Sequence, residues 1–219
     1  KITKPVAGGK GAGNIASGLE KYYNQKVDFS PENCEALGYG TYESRIGRKA
    51  ECGYMIAPID AEDASKGNIA IAVMKVKSGK LDENGKFTPT KSKGSVMWNP
   101  GGPGGSGMTM SVAGAMYDPE LAEDFDMIGF DPRGTGSSMP FSQCSSDKQI
   151  DEDRESNSFG MDLEEAEKDL NDRAKRYTDD CFNNTGKLFD LGEATQEDVM
   201  KHLGTWDAVG DLDLLRSIT

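Results

Sequence analysis

Apolar residues gather in two kinds of pattern along this chain. Compact apolar blocks bounded by polar or glycine-rich stretches predict strands, and apolar residues recurring at three- to four-residue intervals predict helices. Residues 49–57 (Lys-Ala-Glu-Cys-Gly-Tyr-Met-Ile-Ala), which run into Pro58-Ile-Asp60, predict one strand. Residues 68–78 (Asn-Ile-Ala-Ile-Ala-Val-Met-Lys-Val-Lys-Ser) predict a second. The polar segment 79–93 carries the turn signal Asp82-Glu-Asn-Gly85 and predicts a surface loop or hairpin tip. Residues 96–98 predict a short buried strand, 99–107 a glycine-rich turn, 108–117 a helix over that turn, and 125–130 another buried strand. That order predicts a parallel pair, because returning to the same strand direction needs a crossover.

After residue 138 the pattern changes. Residues 145–160 are polar, acidic and serine-rich and predict an exposed loop. Residues 162–182 predict a helix: Leu163, Ala166, Leu170, Ala174 and Tyr177 keep a helical spacing, and acidic residues crowd the first turn. Residues 195–218 predict one further helix, capped by Thr195-Gln-Glu-Asp, with Val199, Leu203, Trp206, Val209 and Leu212 on one face. At the other end, residues 1–32 begin glycine- and lysine-rich and predict an extended, partly mobile arm. A short helix at 14–23 could dock that arm through Tyr22 and Tyr23. Residues 33–219 form the remaining unit, and no internal repeat is visible.

Bulk properties narrow the partners. With 219 residues the chain can bury one good core. A net charge of −12 argues against nucleic acid or an anionic membrane surface. No apolar run is long enough to span a membrane. The cysteines Cys34, Cys52, Cys144 and Cys181 form no C-x-x-C motif, and His202 is the sole histidine, so no metal site and no cofactor is expected. Disulfides fit better than free thiols, with three pairings open. The start Lys-Ile-Thr-Lys-Pro lacks the apolar core of a signal peptide and reads as a mature or engineered start.

The chemistry centres on 99–107, Asn-Pro-Gly-Gly-Pro-Gly-Gly-Ser-Gly. Glycines there permit positive φ and close approach to bare amides, and amides at a helix head suit a negative charge. Two guests fit: a phosphate, or the oxyanion formed when a carbonyl is attacked. Gly102-Pro-Gly104-Gly-Ser-Gly107 formally satisfies the dinucleotide pattern G-x-G-x-x-G, with Asp126 and Asp131 near the end of the next strand. Pro103 counts against it by removing a donor inside the loop.

The oxyanion reading gains from the second turn, Asp-Pro-Arg-Gly-Thr-Gly-Ser-Ser at 131–138. Both motifs, in this order and spacing, closely resemble α/β-hydrolases. More narrowly, they resemble the secreted tripeptidyl aminopeptidases and prolyl iminopeptidases of that fold, over roughly residues 50–219. Asn99 and Pro100 replace the histidine of the commoner His-Gly-Gly-Pro-Gly form, as in the secreted subgroup. The resemblance implies the N-terminal half of an α/β-hydrolase: a mixed, mostly parallel sheet with flanking helices, incomplete without its C-terminal half. It implies a backbone oxyanion donor at Gly102, substrate contacts near Gly101 and Gly104, and disulfides Cys34–Cys52 and Cys144–Cys181. It also implies secretion or association with the cell envelope. Asp131 and Arg133 are expected to brace the two loops against each other. Asp211-Leu-Asp213-Leu-Leu-Arg216 matches the family's run leading into the nucleophile strand.

The reaction expected of the parent is release of tripeptides or N-terminal proline through an acyl-enzyme, yet no G-x-S-x-G elbow occurs. Gly104-Gly-Ser106-Gly-Met108 ends in methionine, and His202 precedes the place where the family's serine belongs. Ser106 and Ser137 read as turn hydrogen-bonders, and His202 as a helix-surface residue. Serine, acid and histidine are expected outside this chain, which alone would be inactive. An edge left open by missing strands predicts order only with the remaining half or a second copy. The alternatives are a non-catalytic protein binding an anion or peptide, and a dinucleotide-binding domain. Asn183-Asn184-Thr185 is a formal glycosylation sequon that predicts a surface turn.

Overall fold

The structure, a computed structural model, describes residues 18–102, 104–155, 160–186 and 194–219. Helix α1 (Glu20–Tyr23) is followed by α2 (Pro31–Ala36), which starts where Ser30 accepts a hydrogen bond from the Asn33 amide and Pro31 occupies the first turn. A short α3 (Tyr42–Ile46) ends at Gly47 in the left-handed conformation. Strands β1 (Ala50–Pro58) and β2 (Asn68–Val76) pair antiparallel along their full length. The segment read as a hairpin tip is a small hairpin, β3 (Gly79–Leu81) with β4 (Phe87–Pro89). Then come β5 (Ser95–Trp98), α4 (Met108–Tyr117), α5 (Leu121–Asp124) and β6 (Asp126–Phe130). As expected, β5 and β6 pair in parallel.

The four-stranded sheet has the order β1-β2-β6-β5. Because β2 runs antiparallel to both neighbours, β1, β5 and β6 all point the same way. The expectation of a mostly parallel sheet therefore holds for strand direction but not for pairing, since only β5–β6 is a parallel pair among the described strands. Both faces are covered. Ile71, Val73, Ile128 and Phe130 pack with Leu214 and Leu215 on one side, while Ala72, Met74 and Met127 pack with Met108, Val112 and Ala115 on the other. Such two-sided burial is why β2 reads as a continuous apolar run.

Of three expectations for the second half of the chain, one holds and two need correction. Residues 145–160 are not simply a loop: α6 (Asp147–Glu155) forms there, although its sequence buries nothing. The expected 162–182 helix is α7 (Leu163–Asn184), with Asp162 accepting from the Glu165 amide at its start. The single helix at 195–218 is two, α8 (Gln196–Lys201) and α9 (Thr205–Ile218), separated by His202, Leu203 and Gly204. Splitting the helix changes which face is inside. Leu214 and Leu215 are buried, whereas Trp206 is 88% exposed and Val209 also faces solvent.

The supposed arm is also revised in its described part. Tyr22, Gln25 and Val27 are buried, and the Gln25 side chain both accepts from the Ile56 amide (2.7 Å) and donates to the Ile56 carbonyl (2.6 Å). Residues 1–17, including the first four positions of the short helix expected at 14–23, lie outside the described residues. Both expected disulfides are present, Cys34–Cys52 joining α2 to β1 and Cys144–Cys181 joining the segment after β6 to α7. Among the described residues no helix is long and apolar enough to cross a membrane.

Candidate active site

Because β1, β5 and β6 share a direction, their carboxyl ends meet at one edge of the sheet. That edge carries the loops after Pro58, Trp98 and Phe130, and in α/β sheets it is where ligands bind. The glycine turn follows β5. Gly101, Gly102 and Gly104 have φ of 74°, 129° and 94°, conformations that side-chain-bearing residues rarely adopt. All three are exposed. The Gly101 amide donates to Asn99 Oδ1 (3.3 Å), so the first residue of the motif closes the turn on itself. Pro103 lies outside the described residues.

The far end of the turn is gathered onto one carboxylate. Asp131, fully buried at the end of β6, accepts at Oδ1 from Ser106 Oγ (2.6 Å), the Gly107 amide (2.9 Å) and the Met108 amide (3.2 Å). Its Oδ2 accepts from the Ser137 amide (2.7 Å). One side chain thus ties the glycine turn and the head of α4 to the loop after β6. Tyr54 Oη holds that second loop from the other side by donating to the Ser137 carbonyl (3.0 Å). Burial, and then the Asp131 charge, pushes the Tyr54 hydroxyl above its ordinary range and keeps it a donor. Ser138 Oγ accepts from the Ala72 amide and donates to the Asp131 carbonyl, fixing the loop to β2.

Close packing demands glycine at two of these positions. A Cβ on Gly107 would lie 2.0 Å from the Phe130 carbonyl oxygen, and one on Gly129 would lie 2.2 Å from that of Gly107. Helix α4 can therefore press its first turn against β6 only because both surfaces are bare.

Arg133 takes a different part from the one expected. It donates to none of the described residues of the glycine turn. Its Nε and Nη2 donate to the two carboxylate oxygens of Asp211 on α9, both at 2.7 Å, and Nη1 donates to the carbonyls of Ile59 (2.9 Å) and His202 (2.8 Å). Burial pushes the Asp211 carboxyl up while Arg133 pulls it down. Only Asp131 braces loop against loop; Arg133 braces the second loop against α9 and the end of β1.

His202 is likewise not a helix-surface residue. It caps the end of α8 and sits between two carboxylates, with Nδ1 3.1 Å from Asp207 Oδ1 and Nε2 3.4 Å from Asp60 Oδ2. Lys66 donates to Asp60 (2.9 Å), and this bond chiefly holds the Asp60 carboxyl below its usual range. His202, Asp60 and Asp207 line a cleft of about 460 Å³ that Trp206 also lines. The link from His202 to Asp60 and Asp207 was invisible in the sequence, since it needs the break between α8 and α9.

The glycine turn and the loop after β6 belong to the region shared with known proteins. No protein-family model matches the chain. It is 29% identical over 208 residues to the serine protease Hip1 of Mycobacterium tuberculosis, covering 94% of this chain and 35% of that protein. It is 27% identical over 177 residues to the tripeptidyl aminopeptidase of Streptomyces coelicolor, covering 78% of this chain and 29% of that protein. Carboxylesterase B of Mycobacterium tuberculosis is 33% identical over 106 residues, 48% of this chain and 18% of the relative. These relatives are thus a serine protease, an aminopeptidase and a carboxylesterase. The chain spans about a third of the length of the curated relatives it matches. Its mixed α/β core and the resemblance to hydrolases agree with one another.

Proposed function

We propose that this chain is the N-terminal portion of a serine hydrolase of the α/β-hydrolase type, supplying the oxyanion loop to a triad contributed by further polypeptide. The observation that carries the proposal is the exposed glycine turn at the carboxyl end of β5, anchored by Asp131 to the Asp-Pro-Arg-Gly loop after β6. In this reading the Gly102 amide donates to the oxygen of a carbonyl under attack, and the residue after the serine provides the second donor. Each such donor stabilises the transition state by about 3–4 kcal/mol when aimed in advance. Gly101 and Gly104 shape the floor on which the acyl group rests. Serine, acid and histidine come from outside residues 1–219, which contain no G-x-S-x-G.

The parent enzyme is proposed to be a secreted or envelope-associated exopeptidase that releases tripeptides or N-terminal proline by way of an acyl-enzyme. The two disulfides fit an oxidising compartment. The partner of the half-exposed edge strand β5 is then the remaining half of the protein, or failing that a second copy. The anion-binding and dinucleotide readings lose ground because the Gly107 and Met108 amides at the head of α4 already hold an internal carboxylate. A phosphate there would meet Asp131.

The test is turnover by the full-length protein. A tripeptidyl anilide or prolyl anilide with a free amino terminus should be cleaved, and the N-acetylated forms should not. Equal cleavage of both, or none of either, contradicts the exopeptidase reading.

A further inference from the structure

We infer that Asp131 and Ser106 form a positioning pair that sets the aim of the Gly102 amide. The inference rests on the hydrolase reading above and goes further by assigning a rate-determining role to residues that touch no substrate.

A turn built from Gly101, Gly102, Gly104 and Gly105 has almost no side chains with which to hold itself in place. Its backbone also occupies conformations that cost glycine more entropy than any other residue. An oxyanion donor is useful only if it points correctly before charge develops. Something outside the turn must therefore fix it. At the leading end, the Gly101 amide is tied to Asn99 Oδ1. At the trailing end, Ser106 Oγ and the amides of Gly107 and Met108 converge on a single oxygen of Asp131. Gly102 lies between these two anchors. Ser106 provides the sole side-chain link from the turn to Asp131 among the described residues, and it is the shortest of the four bonds.

Asp131 suits the task for a second reason. Its other oxygen is held by the Ser137 amide, and Gly136 approaches so closely that a Cβ there would lie 2.2 Å from Oδ2. The carboxylate cannot swing away from the turn. Four donors also offset its charge, which would otherwise oppose an oxyanion forming nearby.

The experiment compares full-length wild type with S106A and D131N. Ser106→Ala removes one hydroxyl and leaves three donors on Asp131. Asp131→Asn can keep an acceptor toward the turn only by presenting an amide donor to the Ser137 N–H, which uncouples the loops. Activity is normalised to sites titrated with a fluorophosphonate, so that misfolded molecules do not count. For S106A, kcat should fall about tenfold with KM within about twofold, and a boronate transition-state analogue should weaken in parallel with kcat. A product-like peptide should bind S106A as it binds wild type. D131N should lose more kcat per titrated site than S106A. Wild-type kcat per titrated site in S106A, with only a lower melting temperature, overturns the inference and leaves the hydrolase reading intact. A wild type that neither labels nor turns over substrate overturns both.

Discussion

Arg133 and Asp211 meet through both prongs of the guanidinium, each at 2.7 Å, although they stand 78 residues apart and are almost wholly withdrawn from solvent. The pair joins the loop after β6 to the middle of α9, and the same guanidinium closes on the carbonyls of Pro58, Ile59 and His202. Buried charges of this kind are costly to strand. Removing one partner, in D211A or R133A, should lower the unfolding free energy by about 3–5 kcal/mol. Urea denaturation followed by circular dichroism measures this. Arg133→Lys should recover little, because one ammonium cannot replace a fork that reaches five acceptors. A loss under 1 kcal/mol in either alanine variant, roughly what an exposed pair contributes, would show that α9 is held by other means.

Both ends of the pH–stability profile have named sources. The Asp60 carboxyl is depressed, first by its bond from Lys66 and then by the Glu62 amide. A depressed carboxylate contributes stability above its unfolded value of 3.8 and loses it as pH falls through the lower folded value. D60N should therefore lose stability at neutral pH and show a shallower acid limb than wild type. At the alkaline end, burial and the bond to Asp213 push Tyr23 up to about 12 from 10.0. That contribution is present below 10.0 and lost as pH rises toward 12, so Y23F should flatten the alkaline limb. Parallel limbs in wild type and variants would remove these groups from the account.

Helix α7 depends on its disulfide. Leu163, Leu170 and Tyr177 on this helix are 85%, 58% and 55% exposed, so little apolar burial holds it. The Cys144–Cys181 bridge closes a loop of 37 residues, and such a loop stabilises by about 3–4 kcal/mol in the chain-entropy description. The double variant C144S/C181S should unfold at correspondingly lower urea. Proteolysis of that variant should first nick within α7. Cleavage appearing first in the β1–β2 pair instead would contradict the assignment of α7 as the weakly held element.

Two glycines should respond in opposite directions to alanine. Gly136 has φ of 55°, and a Cβ would meet Asp131 Oδ2 at 2.2 Å, so G136A should lower stability by about 2 kcal/mol or more. Gly210, inside α9, has open space around a new Cβ and no positive φ. G210A should raise stability by about 0.5–1 kcal/mol. Thermal melts of the two variants settle the comparison by sign alone.

The unit β5–α4–β6 was readable because its physics is local: apolar blocks too short for helices, glycines at the turn, and a helix between. The opening pair β1 and β2 was readable for the same reason. What escaped the sequence depended on distant partners. One helix was expected across 195–218 because its spacing is continuous, yet Leu203 turns aside to pack on Gly134, within 3.0 Å of where a Cβ would stand. His202 then leaves the helix and meets Asp60, far away in sequence. Arg133 was placed with the glycine turn by Asp131 two residues earlier, but the chain turns at Arg133 and sends its side chain to Asp211 instead. Helix α2 did carry a signal, Ser30 followed by Pro31, that a capping argument identifies. Helix α6 carried none, since its residues bury nothing.

The central claim is that this chain provides the oxyanion loop while the attacking serine lies elsewhere in the polypeptide. The most direct measurement labels the full-length protein with a fluorophosphonate and locates the adduct by peptide mass spectrometry. The account predicts one adduct, on a serine outside residues 1–219, and none on the isolated chain. An adduct on Ser106, Ser137 or any other serine of this chain would contradict it.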